Sequence, residues 1–167
     1  MEENSLKNKA SRIKMLVLDV DGTLTDGGIY INANGVHSKK FNIRDGMGIK
    51  QLQEVKIHVA FLTHSHMQMI LDERAKMLDV KFVYSGKDPK IQVLQGWMQE
   101  LSLVSEEIAY IGDDINDLEI MKQVGLSACP ADAHHRVIRE VDIVLQRKGG
   151  EGCVREFIDR FLLRQND

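Results

Sequence analysis

Six short apolar runs, mostly β-branched, recur along the chain, and longer stretches with helical spacing separate them. This alternation restricts the fold more than any other feature of the sequence. The runs are Met15–Val20, Ile57–Leu62, Val80–Tyr84, Ile108–Ile111, Leu126–Ala128 and Ile143–Leu145. Helical patterns lie near Gly46–Val55, Gln68–Leu78, Pro89–Leu101, Ile115–Val124, His134–Glu140 and Glu151–Leu163. Strands that are apolar throughout are covered on both faces, so the pattern predicts an α/β fold with a doubly wound, mostly parallel sheet. At 167 residues, the chain is of a size for one domain, 1–167, around one core. Asp88-Pro89 predicts a helix start, with Asp88 as the cap and proline at the first helical position. In such sheets ligands bind beyond the carboxyl ends of the strands, so the residues just after each apolar run are the candidates for a site.

One segment breaks the alternation. Ile29–Ala33 and Val36–Phe41 flank Asn34-Gly35, the signature of a two-residue hairpin turn. An isolated hairpin is only marginally stable in water, so this one, over about residues 29–41, needs a partner in the same domain or in another subunit.

Two strand ends are acidic. Met15–Val20 runs into Asp19-Val20-Asp21-Gly22-Thr23, and Ile108–Ile111 into Gly112-Asp113-Asp114-Ile115-Asn116-Asp117. Residues two apart in an extended segment point the same way, so Asp19 and Asp21 converge on one pocket. Gathered carboxylates repel and are costly to bury without a counter-charge. A hard cation with oxygen ligands resolves this, and Mg²⁺ is the usual one where phosphate is bound. Either cluster alone reads as ordinary turn and cap chemistry; the two together, each at the end of an apolar strand, do not. Thr63, ending a strand, offers a hydroxyl to a phosphoryl oxygen, and Lys90, opening a helix, offers a counter-charge; in isolation each reads as a surface residue.

Composition narrows the alternatives. Lys+Arg 22 against Asp+Glu 25 leaves a net charge of −3, which gives no basic footprint for nucleic acid. No apolar run approaches a membrane span, and the first fourteen residues lack the apolar stretch of a signal peptide, so a cytoplasmic location is expected. Cys129 and Cys153 stand apart, without metal-ligand or disulfide spacing. Trp97 and the methionines Met67, Met69 and Met77 read as core or interface packing.

The order Asp-x-Asp, Thr, Lys, Gly-Asp-Asp-x-x-Asp resembles the haloacid dehalogenase superfamily of phosphotransferases, with all four of its motifs present between Asp19 and Asp117. Only the hairpin stands where other members carry a cap domain. The chain therefore resembles the capless subfamily of 3-deoxy-D-manno-octulosonate 8-phosphate (KDO 8-phosphate) phosphatases. Asp26-Gly27-Gly28-Ile29-Tyr30, Phe41–Gly46, Ala131–His134 and Gly149–Glu156 extend the resemblance over nearly the whole chain.

The resemblance implies a Rossmannoid fold, a Mg²⁺ cofactor, and hydrolysis of a sugar-acid phosphate in lipopolysaccharide precursor synthesis. Asp19 is then the nucleophile that becomes an aspartyl phosphate, and Asp21 the general acid and base. The metal is held by the carboxylates of Asp19 and Asp113 and the backbone carbonyl of Asp21, with Asp114 and Asp117 orienting loop and ligands. Thr63 and Lys90 cradle the phosphoryl oxygens. Asn42, Arg44, Asp45, Gly46 and Arg74 match substrate-binding positions, and Arg44 has the planar fork that suits a carboxylate. Subfamily members are homotetramers in which hairpins cluster, and Gly149–Gly152 matches a segment that closes a neighbour's site; a purely local reading has these glycines ending a strand and opening the last helix.

The chain departs from the subfamily at Thr63-His64-Ser65-His66, where Thr-Gly-Arg is usual, and this bears on which sugar is bound. His64 and His66 read either as substrate donors or as loop residues. A nine-carbon 2-keto-3-deoxy sugar acid 9-phosphate is the close alternative substrate. A non-catalytic oligomerisation module is the alternative outside enzymes, opposed by the intact acidic set. A phospho-receiver domain fails on motif order.

Overall fold

A computed structural model describes residues 2–65 and 67–163; His66 lies outside the described residues. Helix α1 (Glu2–Ala10) leads into β1 (Met15–Leu18), and the hairpin strands β2 (Tyr30–Ile31) and β3 (His37–Ser38) come next. Then come α2 (Ile43–Glu54), β4 (His58–Thr63), α3 (Gln68–Met77), β5 (Phe82–Ser85), α4 (Lys90–Leu101) and β6 (Ile108–Ile111). The chain finishes with α5 (Leu118–Met121), β7 (Leu126–Cys129), α6 (His135–Ile138), β8 (Ile143–Val144) and α7 (Cys153–Phe157).

Among the described residues one sheet has the order β5-β4-β1-β6-β7-β8, and every pairing in it is parallel. Alternate residues of its strands feed two separate apolar layers. Leu16, Leu18, Val59, Phe61 and Ile111 join α2, α3 and α7 on one face; Met15, Val17, Ala60, Leu62 and Tyr110 join α4, α5 and α6 on the other. The doubly wound α/β expectation therefore holds, because strands buried on both sides need helices on both sides. Connections leave β1 toward β4 and leave β6 toward β7, so the chain diverges between these adjacent strands. The crevice at their carboxyl ends is the switch point where ligands bind in such folds.

Two local expectations change, at the start of α4 and at the hairpin turn, and one helix is new. α1 has a polar sequence with no clear helical pattern; it is held by Leu6 and Ala10 against the core. Helix α4 begins at Lys90 with Pro89 at the cap position, because Asp88 is engaged elsewhere: its carboxylate accepts from the Tyr84 hydroxyl at 2.7 Å. The hairpin closes on a three-residue loop, not on Asn34-Gly35 alone. Asn32 N–H donates to the Val36 carbonyl at 3.1 Å, the Asn32 side chain accepts from Asn34 N–H and Val36 N–H, and Gly35 takes a φ of +73°, as a bulged three-residue turn requires. Met69 and Met77 are exposed, which leaves interface packing as the reading for them, and Trp97 packs edge-on to Phe82. Both cysteines are free and buried.

Candidate active site

The chain turns sharply after β1. Val20–Leu24 forms one wide turn closed by Thr25 N–H on the Val20 carbonyl at 3.0 Å, with Gly22 at φ +90°. A side chain at Gly22 would be strained, and its Cβ would sit 2.1 Å from Asp113 Oδ2. Glycine here is what lets the loop after β1 approach the loop after β6.

That approach builds a buried charge cluster. Lys90, 3% exposed, donates to Asp19 Oδ1 at 2.6 Å, to Asp117 Oδ1 at 2.6 Å and to the Tyr110 hydroxyl at 3.2 Å. Tyr110 in turn donates to Asp117 Oδ1 at 2.6 Å. The second oxygen of Asp117 accepts the backbone N–H groups of Asp113 and Asp114 at 3.0 and 3.2 Å. Both oxygens of Asp117 are thus committed to holding Lys90 and the loop after β6, which is an orienting task. Asp114 accepts from Ile115 N–H at 2.7 Å and fixes the same loop.

Asp19 and Asp113 face the open side of this cluster. Burial pushes the Asp19 carboxyl well up from its ordinary value, with Lys90 pulling against it and Asp117 adding to it. Asp113 is pushed up to about 7, first by burial and then by the charge of Asp117. For Lys90 burial works downward, but Asp19 and Asp117 outweigh it and the ammonium is held above its usual range. Three buried or half-buried carboxyls therefore share one lysine. Ligand oxygens of Asp19, Asp113 and Asp117 lie within 4.8 Å of one another, and with Asp117 fully engaged, Asp19 and Asp113 are the two free to take a hard cation. A divalent cation fits this donor set, because it supplies the positive charge that the cluster lacks.

A pocket of about 210 Å³ opens above, lined by Asp19, Asp21, Thr63, His64, Ser65, Asp113, Asp114 and Asn116. Its size suits a phosphoryl group with the rest of a substrate extending outward. Thr63 accepts Ser65 N–H at 3.1 Å, which leaves its hydroxyl hydrogen for a ligand oxygen. His64 contacts the Asp88 carbonyl at 3.1 Å. The structure thus brings together Asp19, Asp21, Thr63, Lys90, Asp113, Asp114 and Asp117, as the sequence leads one to expect.

The expected substrate residues are dispersed. Asn42 caps α2 by accepting Arg44 N–H at 2.8 Å and donates to the Gly150 carbonyl at 3.2 Å. Asp45 is fully buried and accepts Arg155 N–H at 2.7 Å; Gly46 is buried against Arg74. Both are buried, and their contacts here shape the loop that opens α2. Arg44 lines a separate depression with Arg147 and Arg155. Arg74 donates to the Asn42 carbonyl at 2.9 Å, stacks on Phe41 and lines a groove of about 430 Å³ with Lys39, Met69 and Met77.

Gly149 and Gly150 brace the turn after β1 of their own chain. Gly150 N–H donates to the Thr23 carbonyl at 3.0 Å, and a Cβ on Gly149 would stand 1.8 Å from the Gly22 carbonyl oxygen. Their local role is close backbone approach, more than ending a strand. Sequence reasoning did not reach Tyr110, Asn116 or Lys39. Tyr110 left a signal, a hydroxyl in an otherwise apolar strand that must find a partner. Lys39 left none, since its reach depends on how the hairpin folds back.

Comparison with known proteins agrees with this geometry. A family model described as haloacid dehalogenase-like hydrolase matches residues 50–158. The chain is 40% identical over 157 residues, 94% of its length and 83% of the relative's, to 3-deoxy-D-manno-octulosonate 8-phosphate phosphatase KdsC of Escherichia coli K12. The crystal structure of the Yersinia pestis phosphatase of the same name superposes with a TM-score of 0.93 at 39% identity, covering 97% of this chain and 87% of that one. The Moraxella catarrhalis phosphatase, solved with a magnesium ion, a phosphate ion and KDO, superposes with a TM-score of 0.92 at 34% identity over 98% and 93% of the two chains.

Proposed function

Because this chain belongs to the haloacid dehalogenase-like hydrolases, we propose that it is a Mg²⁺-dependent phosphatase that converts KDO 8-phosphate to KDO and phosphate. The observation that carries this reading is the Asp19–Lys90–Asp117 cluster facing Asp113 at the sheet's switch point. It combines a buried nucleophile, a fixed cation and a two-carboxylate opening for a metal. The module reading loses its ground here, since a scaffold has no need of this cluster.

Asp19 attacks phosphorus with the carboxylate that Lys90 holds by Oδ1. The lysine keeps the oxygen aimed and offsets charge that builds on the phosphoryl group. Asp21 gives its proton to the departing sugar oxygen and later takes one from the water that cleaves the aspartyl phosphate. Thr63 binds a phosphoryl oxygen. Asp19, Asp113 and the Asp21 carbonyl would hold Mg²⁺, which would neutralise phosphate charge. From the pocket the sugar extends into the adjoining groove, where Arg74 is placed for its carboxylate; Arg44, Asn42, Asp45 and Gly46 support the surrounding loops. A single domain carries all of this, and it works in the cytoplasm. The exposed apolar side chains of the hairpin support assembly into a homotetramer.

Phosphate release from a panel of sugar phosphates tests the reading. KDO 8-phosphate is expected to turn over best, with activity abolished by EDTA. Preference for a nine-carbon 2-keto-3-deoxy sugar acid 9-phosphate would move the substrate assignment and keep the chemistry. No release from any substrate by folded protein would overturn both.

A further inference from the structure

Resting on the phosphatase reading above, we propose that Lys39, from the hairpin, is a positioning residue that aims Asp21 at the leaving oxygen. Lys39 comes directly after β3, and its side chain is only 3% exposed although it stems from a solvent-facing ribbon. Its ammonium donates to Asp21 Oδ1 and to the Ser65 hydroxyl at 2.9 Å. Ser65 is itself fixed, accepting from Met67 N–H at 3.3 Å and donating its own N–H to Thr63. The neighbouring Lys40 makes a contrasting pair with Asp26, with the lysine 53% exposed; that is an ordinary surface contact worth little.

Asp21 stands on the turn after β1 with its side chain 38% exposed. Among the described residues no other side chain is shown hydrogen-bonded to its carboxylate. An acid that must meet one oxygen of a bound ester needs a fixed orientation, since small misplacements erode proton transfer. Lys39 pins Oδ1 and leaves Oδ2 to carry the proton. As the Asp19 oxygen–phosphorus bond forms, the ester phosphorus–oxygen bond breaks, its electron pair stays on the sugar oxygen, and that oxygen takes the proton from Asp21 Oδ2.

The test exploits leaving-group chemistry. An alkyl phosphate such as KDO 8-phosphate needs a proton on its departing oxygen, whereas p-nitrophenyl phosphate releases a stable anion. The parameter read is kcat/KM, which covers the steps through departure of the alcohol. In Lys39→Met we expect a fall of about 10- to 100-fold both on KDO 8-phosphate and on a short alkyl phosphate that does not reach the groove Lys39 lines, and less than about threefold on p-nitrophenyl phosphate. A loss on KDO 8-phosphate alone would mark Lys39 as a sugar contact and overturn the proposal. Inhibition by inorganic phosphate should stay unchanged, and Lys39→Arg should restore most of the alkyl activity. Lys39→Gln is read by the same ratio, so poor folding of the methionine variant does not decide the matter. Equal losses on the alkyl and p-nitrophenyl phosphates, weakened phosphate inhibition, or no loss at all would overturn the proposal. Absence of wild-type turnover on all of these substrates would instead sink the phosphatase reading and the role of Lys39 with it.

Discussion

At Asp45 a carboxylate has been buried with one oxygen, Oδ2, lacking a hydrogen-bond partner. Burial pushes its pKa up to about 6, against the pull of Arg155 N–H and Arg74. The folded state therefore holds a proton that the unfolded chain releases near 3.8, and stability from this group is lost as pH rises from about 4 to 6. The size is about 2–3 kcal/mol at neutral pH, given about 1.36 kcal/mol for each pKa unit. Asp45→Asn keeps the acceptor for Arg155 and removes the charge. We expect the variant to match wild type near pH 4 and to gain stability over it by pH 7 in urea titrations; a difference independent of pH would contradict this. The same residue shows what the sequence conveys at this scale. Asp19 and Asp113 were legible because each ends an apolar strand. The burial of Asp45 was not, since it depends on α7 returning from more than a hundred residues away to cover it.

The hairpin is the element whose physics is least satisfied within one chain. Ile29, Tyr30, Ile31 and Val36 are each more than half exposed, on or next to two strands that among the described residues pair only with each other and are tied to the domain by the Thr25–Phe41 bridge and by the Lys39 and Lys40 contacts. Two strands alone are marginal, and four exposed apolar side chains on one small ribbon are suited to an association surface. If the proposed tetramer forms through the hairpin, introducing charge with a Tyr30→Glu, Ile31→Glu double variant should lower the sedimentation coefficient without changing the far-ultraviolet circular dichroism. Persistence of the tetramer would place the interface elsewhere. The element was visible in the sequence through alternation around Asn34-Gly35, but the loop length was not, because the Asn32 side chain captures two backbone N–H groups and moves the closing pair. Helix α1 was hidden for a related reason: two apolar contacts, Leu6 and Ala10, hold a segment whose own pattern is polar.

Over the whole molecule, the doubly wound sheet was readable because each strand is apolar on both faces, and the site could be placed from where the acidic loops fall at the switch point. No helix among the described residues is long and apolar enough to cross a membrane. The convergence of distant pieces upon the site was not readable: the hairpin through Lys39, the strand β6 through Tyr110, and Gly149-Gly150 through backbone contact with the turn after β1. These depend on packing between segments that no local pattern links. On the proposed mechanism all of them serve one event, transfer of the phosphoryl group from the sugar oxygen to Asp19. The direct measurement is rapid acid quenching during turnover of KDO 8-phosphate with Mg²⁺, then intact mass and peptide mapping. A single phosphoryl group on Asp19, absent in Asp19→Asn and absent without metal, is the predicted result. Steady phosphate release with no phosphoryl group on Asp19, or undiminished turnover by Asp19→Asn, would contradict it.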